Sequence, residues 1–170
     1  MAGRRSVSVA RVVPASAAAV FDIITAPAAH AELDGSGMLR GQPDGPERLG
    51  PGERFAMAMR QAGVRYRSVN TVVEYEPDRL IAWETWGEWR GRRTVGGQRW
   101  RYQLVPLAED RTRVVHTYDW SGARFPLLVE LPGYPRRMAP AMSATLARLA
   151  EAAGRDRPAP PAADGLSPRS

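Results

Sequence analysis

The sequence predicts an α+β fold in which a curved antiparallel sheet of about seven strands wraps a long carboxy-terminal helix. Three observations predict it. Between residues 55 and 120, closely spaced segments alternate apolar and polar side chains and are separated by short turns, the pattern of an antiparallel meander. From about Pro135 to Ala153, Met138, Met142, Leu146 and Leu149 recur at helical spacing. Before the meander, one strand is followed by short helical segments. The apolar face of a sheet must be covered, and the terminal helix is the longest element available to cover it. A twisted sheet folded around a single helix does not fill its own concavity, so an interior pocket is expected.

The elements follow in order. Ser6 to Val13 alternates, with Val7, Val9 and Val13 on one face, and Pro14 stops the strand. Ser16 is placed to cap a short helix that carries Ala17, Val20, Phe21 and Ile24 on one side. Pro27 ends it and opens a second short turn, Ala28 to Leu33. Asp34-Gly35-Ser36-Gly37 reads as a tight loop, and residues 41–52, rich in Gly and Pro, read as a connection. Five strand-like segments come next. Phe55, Met57 and Met59 alternate with Ala56, Ala58 and Arg60. Val64 to Glu76 is long, rich in β-branched residues and ended by Pro77-Asp78. Leu80 to Trp86 is third, with a hairpin read around Gly87 to Gly97. Gln98 to Leu107 alternates Trp100, Tyr102 and Leu104. After Glu109-Asp110, Arg111 to Trp120 alternates Val114, His116, Tyr118 and Trp120. Pro140 inside the terminal helical pattern either kinks that helix or marks its first turn. One domain over residues 1–153 is expected, and residues 154–170, without periodicity, read as a disordered tail.

Composition excludes several kinds of chemistry. The 170 residues are enough for one domain with a real core. There is no cysteine, which removes disulfides, thiolate catalysis and thiolate metal sites together. No apolar run approaches the roughly 20 residues of a membrane helix. Met1-Ala2-Gly3-Arg4-Arg5 lacks a signal-peptide core, so a cytoplasmic protein is expected. The net charge is +6, and every basic side chain is Arg. Those arginines are interleaved with Asp and Glu, as on a solvated surface. Only Arg90, Arg92 and Arg93 form a tight group, at a hairpin tip, and no aromatic platform is evident among them. A nucleic-acid module therefore ranks last among the readings.

Several phrases, in order, resemble a known family. They are Pro14-Ala15-Ser16 before Val20-Phe21-Asp22, then His30-Ala31-Glu32-Leu33-Asp34-Gly35-Ser36-Gly37. Glu74-Tyr75-Glu76-Pro77 before Arg79-Leu80 follows, and Arg111-Thr112-Arg113-Val114 leads to Tyr118-Asp119-Trp120. Together they resemble the START-like (SRPBCC) superfamily in its polyketide cyclase/dehydrase-like branch. The resemblance implies a helix-grip fold and a cavity for a small hydrophobic ligand such as a polyketide, a lipid or a sterol-like molecule. It implies no cofactor, no metal and no nucleic acid, and it leaves open a monomer or a homodimer. It carries no shared catalytic motif, so function has to be argued from the site.

The candidate site residues follow from the alternation. Phe55, Met57, Met59, Trp83, Trp100 and Tyr102 on strands, with Met138 and Met142 facing them from the helix, make either an adaptable apolar pocket or a solid core. His116 and Tyr118 share a face, where they can contact a ligand, move protons or serve structure alone. Glu84, between Trp83 and Trp86, is an acid/base candidate if it points inward and an ordinary surface residue otherwise. Leu80 and Ala82 argue for one register and Ile81 and Trp83 for the other. His30, Glu32 and Asp34 read as a loop or helix-end cluster, a contact at the pocket mouth, or a metal set. No serine sits in a nucleophile-elbow pattern. The function expected is ligand binding, with a cyclase/dehydrase-like activity or a carrier, sensor or partner-binding role as the alternatives.

Overall fold

The computed structural model describes residues 5–61 and 63–155. A first strand β1 (Ser6–Val13) leads into helix α1 (Ala17–Ile24), a 3-10 turn (Pro27–Ala29) and helix α2 (His30–Leu33). Six strands follow: β2 (Leu39–Asp44), β3 (Arg54–Gln61), β4 (Val64–Glu76), β5 (Leu80–Trp89), β6 (Arg92–Ala108) and β7 (Arg111–Asp119). Helix α3 (Pro126–Glu130) and the long helix α4 (Tyr134–Arg155) close the chain. The seven strands form one sheet in the order β1-β7-β6-β5-β4-β3-β2, every neighbouring pair antiparallel.

The sheet curls because extra residues are inserted along it. Extra residues fall between Val72 and Glu74 in β4, between Arg93 and Gln98 in β6 opposite Thr85 to Glu88, and between Pro106 and Ala108 in β6. Each such bulge bends its strand and adds local twist. At Gly97, with φ +88°, a β-carbon would stand 2.4 Å from the Gly122 carbonyl oxygen, so glycine lets β6 bend against the loop after β7.

Into this concavity α4 lays Met138, Met142, Leu146, Leu149 and Ala153, all buried. Pro140 sits in its interior and not in its first turn, on the exposed side. There its missing N–H costs one helical bond without disturbing the buried stripe. Ser16 caps α1 by accepting from the Ala19 N–H at 3.2 Å, and Val20, Phe21 and Ile24 are buried as the spacing predicts.

Three expectations are corrected, and one helix is new. The stretch read as a connection begins inside strand β2, which pairs with the β3 edge at Leu39–Met59, Arg40–Ala58 and Asp44–Ala56. The hairpin read around Gly87 to Gly97 is far tighter. Trp89 pairs with Arg92, and the turn is only Arg90-Gly91, both at positive φ, as a two-residue hairpin turn requires. Helix α3, with Pro126 in its first turn, is an element the sequence reading lacks. Helix α4 runs on through Gly154 to Arg155, past the expected boundary. The rest of the expected tail, and residues 1–4, lie outside the described residues.

Candidate functional site

The inward face of the sheet is set by alternation along each strand. On β3, Phe55 and Met57 are buried and Met59 partly so. Their partners across the ladder on β4 are Asn70, Ser68 and Tyr66. On β5, Trp83 pairs with Val72 and with Trp100, which fixes Ile81, Trp83 and Thr85 inward. On β6 and β7, Trp100 faces Tyr118 and Tyr102 faces His116.

These side chains do not close on one another. They enclose, with α4, a cavity of about 420 Å³. That lies within the roughly 300–1,000 Å³ typical of small-molecule sites. All of Phe55, Met57, Met59, Trp83, Trp100 and Tyr102 line it, as do His116, Tyr118, Met138 and Met142. The solid-core alternative is thereby set aside. The aromatic rings are in mutual contact. Tyr102 stacks on His116 at 3.9 Å between ring centres, and Trp100 lies 4.4 Å from Tyr118. Trp83 stacks on His30 at 5.2 Å.

Sequence reasoning missed the polar wall. Tyr66, Ser68, Asn70, Thr85 and Gln98 also face the cavity. A signal existed on β4, where Arg65 and Arg67 occupy the alternate positions and so leave Tyr66 and Ser68 for the interior. Thr85 donates to the Asn70 side-chain oxygen at 2.7 Å, joining two of these strands across the wall.

Of the cluster read before the glycine-rich loop, His30 and Asp34 line the cavity and Glu32 does not. The His30 Nε2–H donates to the Ile24 carbonyl at 2.7 Å. Burial lowers the His30 pKa, against the opposing effect of that bond. Asp34 accepts from the Ser36 N–H, the Ser36 hydroxyl and the Leu39 N–H, an Asx-type turn that holds the loop. Among the described residues no cluster of acidic and imidazole groups is placed to hold a metal ion.

His116 and Tyr118 differ from the rest of the lining. His116 is 3% exposed, and among the described residues neither ring nitrogen has a hydrogen-bond partner. Burial drives its pKa down to about 3, so the ring is neutral near pH 7. The Tyr118 hydroxyl is buried and makes no bond of good geometry, though the Gln98 side chain lies close enough to favour its ionised form. Burial outweighs that influence and raises its pKa. Buried polar groups in native proteins are normally paired, so two adjacent orphans facing one cavity mark a place for a partner.

Glu84 is corrected as an acid/base candidate. It projects from the opposite face of β5, where it accepts from the Trp86 indole N–H at 2.8 Å and lies 3.6 Å from the Arg99 guanidinium. The Arg-rich tip is also corrected in one respect. Arg90 lies over Trp89 at 4.5 Å and Arg93 over Trp86 at 5.4 Å, so aromatic rings do stand beside its arginines.

A seven-stranded antiparallel sheet gripping one long helix around a lined cavity defines the START-like, helix-grip class of proteins. The chain belongs to the family described as polyketide cyclase/dehydrase and lipid transport, which it matches over residues 4–154. An uncharacterized protein of Mycobacterium tuberculosis is 34% identical over 160 residues, covering 90% of this chain. Its counterpart from another strain is 33% identical over the same length. The chain spans 64% of the length of each of these relatives. Among solved structures, the ZhuI aromatase/cyclase of a Streptomyces species superposes with a TM-score of 0.64 at 18% identity, covering 89% of this chain and 94% of that one. A START superfamily protein of Mycobacterium smegmatis gives 0.62 at 17% identity, covering 88% and 97%. These two likenesses establish the fold alone. Among the described residues, no helix is long and apolar enough to cross a membrane.

Proposed function

We propose that the protein binds a small, largely apolar molecule bearing an oxygen function, held in the cavity between the sheet and α4. The aromatic and methionine walls hold it by burial, at roughly 25 cal/mol per Å² of apolar area. His116 and Tyr118 orient it through one neutral hydrogen-bonding group. The observation that carries this reading is the buried, unpaired imidazole of His116 beside the unpaired Tyr118 hydroxyl. A neutral imidazole offers one donor and one acceptor, and a phenol offers a donor. A ligand carbonyl accepts from either group, and a ligand hydroxyl also donates to the imidazole's bare nitrogen.

Ring closure on a folded polyketide chain is the second reading, suggested by the family and by the same pair. General-base catalysis works best with a pKa near the working pH. An imidazole with a pKa near about 3 is a poor base, which favours binding over proton transfer. Turnover by this site would come mainly from holding one reactive conformer.

The test is calorimetric titration of a hydrophobic ligand into wild-type protein, His116→Ala and Tyr118→Phe. Each substitution is expected to weaken binding about tenfold, as a lost buried hydrogen bond does. Unchanged affinity in both variants would remove these residues from the site.

A further inference from the structure

The ligand-binding reading leaves the charge of the ligand open, and the distribution of charge in this protein bears on it. The chain carries 24 basic residues, all of them arginine. Yet among the described residues that line the cavity there is no arginine. The titratable groups that do face it come from α2, the loop after it, β4, β6, β7 and α4, while α1, β3, β5 and α3 contribute none. They are His30 on α2, Asp34 in the loop after α2, Tyr66 on β4, Tyr102 on β6, His116 and Tyr118 on β7, and Tyr134 on α4.

None of these supplies a positive charge near neutral pH. Burial lowers the pKa of both histidines, and it raises those of Tyr102, Tyr118 and Tyr134. The one acid in the lining is Asp34, whose charge adds to the raised pKa of Tyr102 and Tyr134. An anion brought to the His116–Tyr118 pair would leave water without gaining a counter-ion from the lining. Burying an unpaired charge is among the costliest events in a protein interior. The arginines of the surrounding elements lie outside the lining. Arg136 and Arg137 at the start of α4 are exposed, Arg99 lies beside Glu84 and Arg101 beside Glu74, and Arg148 donates to the Asp34 carbonyl.

We infer that the cavity selects uncharged ligands, with a hydroxyl, ketone or ester oxygen at the His116–Tyr118 pair, and rejects the carboxylate forms of the same skeletons. The inference rests on the ligand-binding reading and adds a chemical class to it. A carboxylic acid enters this cavity only as the neutral acid.

The experiment uses the full chain and matched pairs: 2-naphthol against 2-naphthoic acid, and the methyl ester of a medium-chain fatty acid against the free acid. Affinities are measured at about pH 8 and at about pH 6. At the higher pH the neutral member is expected to bind at least about tenfold more tightly than its carboxylate. On lowering the pH the affinity for each acid is expected to rise about tenfold per unit, since the acid ionises near about pH 4.3 and the neutral fraction grows in that proportion. The naphthol and the ester serve as controls and are expected to stay flat, which separates titration of the ligand from titration of the protein. Equal or tighter carboxylate binding at about pH 8 overturns the charge selection while leaving ligand binding intact. Failure of all four compounds to bind counts against the ligand-binding reading and takes this inference with it.

Discussion

His116 links the polar chemistry of the cavity to the stability of the fold. Its pKa falls from 6.5 to about 3 on burial. Between these values the folded protein binds fewer protons than the unfolded chain, so stability rises with pH through that window and falls on acidification. At about 1.4 kcal/mol per pH unit, the contribution lost between about pH 6.5 and pH 4.5 is of order 2–3 kcal/mol. Urea unfolding at those two pH values is therefore expected to show a clearly smaller acid loss for His116→Gln than for wild type. Equal losses would place the acid sensitivity elsewhere, with His30, whose pKa is shifted the same way, as the first alternative. The pair His116 and Tyr118 was legible because Val114 and Trp120 flank it on the same alternation. Glu84 was not, because the two faces of Leu80–Trp83 are equally apolar. Only the pairing of Trp83 with Val72 and Trp100 decides between them.

At the scale of elements, the seat of α4 determines whether the cavity exists. The loop after α2 is tied to α4 where the Gly35 N–H donates to the Thr145 hydroxyl at 3.0 Å and Arg148 reaches the Asp34 carbonyl. A β-carbon on Gly35 would stand 2.1 Å from the Ala141 carbonyl oxygen, which belongs to helix backbone and has little room to yield. Gly35→Ala is expected to destabilise by about 1–3 kcal/mol through overpacking, and to weaken ligand binding as the loop carrying Asp34 is pushed from the helix. Leu146 on the same helix is 1% exposed and packs in the core without lining the cavity. Leu146→Ala is expected to cost about 2–5 kcal/mol in chemical denaturation and to leave affinity within about twofold at a temperature where it is folded. A matching loss of affinity in both variants would break the distinction between the seat of the helix and the wall of the cavity. The helix itself was legible from its 3.6-residue stripe, and β3 to β7 from their alternation. Strand β2 was hidden, since Leu39-Arg40-Gly41-Gln42-Pro43-Asp44 has no alternation and becomes a strand by pairing with the open edge of β3. The hairpin length was hidden as well, because Gly96 and Gly97 look like turn residues while one admits the Trp86 ring and the other a bulge.

For the molecule as a whole, one buried stripe on α4 faces one curled sheet, and the space between them exceeds what their side chains fill. A ligand that binds there stabilises only the folded chain. At a concentration one hundredfold above its dissociation constant it adds about 2.7 kcal/mol, or roughly 5–10 °C in melting temperature for a domain of this size. A melting temperature that stays constant across saturating neutral aromatic and acyl compounds would argue for a cavity that no ligand uses. The antiparallel meander and the wrapped helix were legible because short turns and the need to cover an apolar face leave few alternatives, whereas the pairing of β1 with β7 was not read. The volume of the cavity was not, since no count of residue sizes reports how strongly a sheet curls at its bulges. The most direct measurement is native mass spectrometry of the purified chain, followed by solvent extraction and identification of what is released. The account expects a bound, uncharged, oxygen-bearing hydrophobe on the wild-type protein, and much less of it on His116→Ala purified in parallel. A protein that carries nothing, and takes up no neutral aromatic or acyl compound when offered a saturating excess, would contradict it.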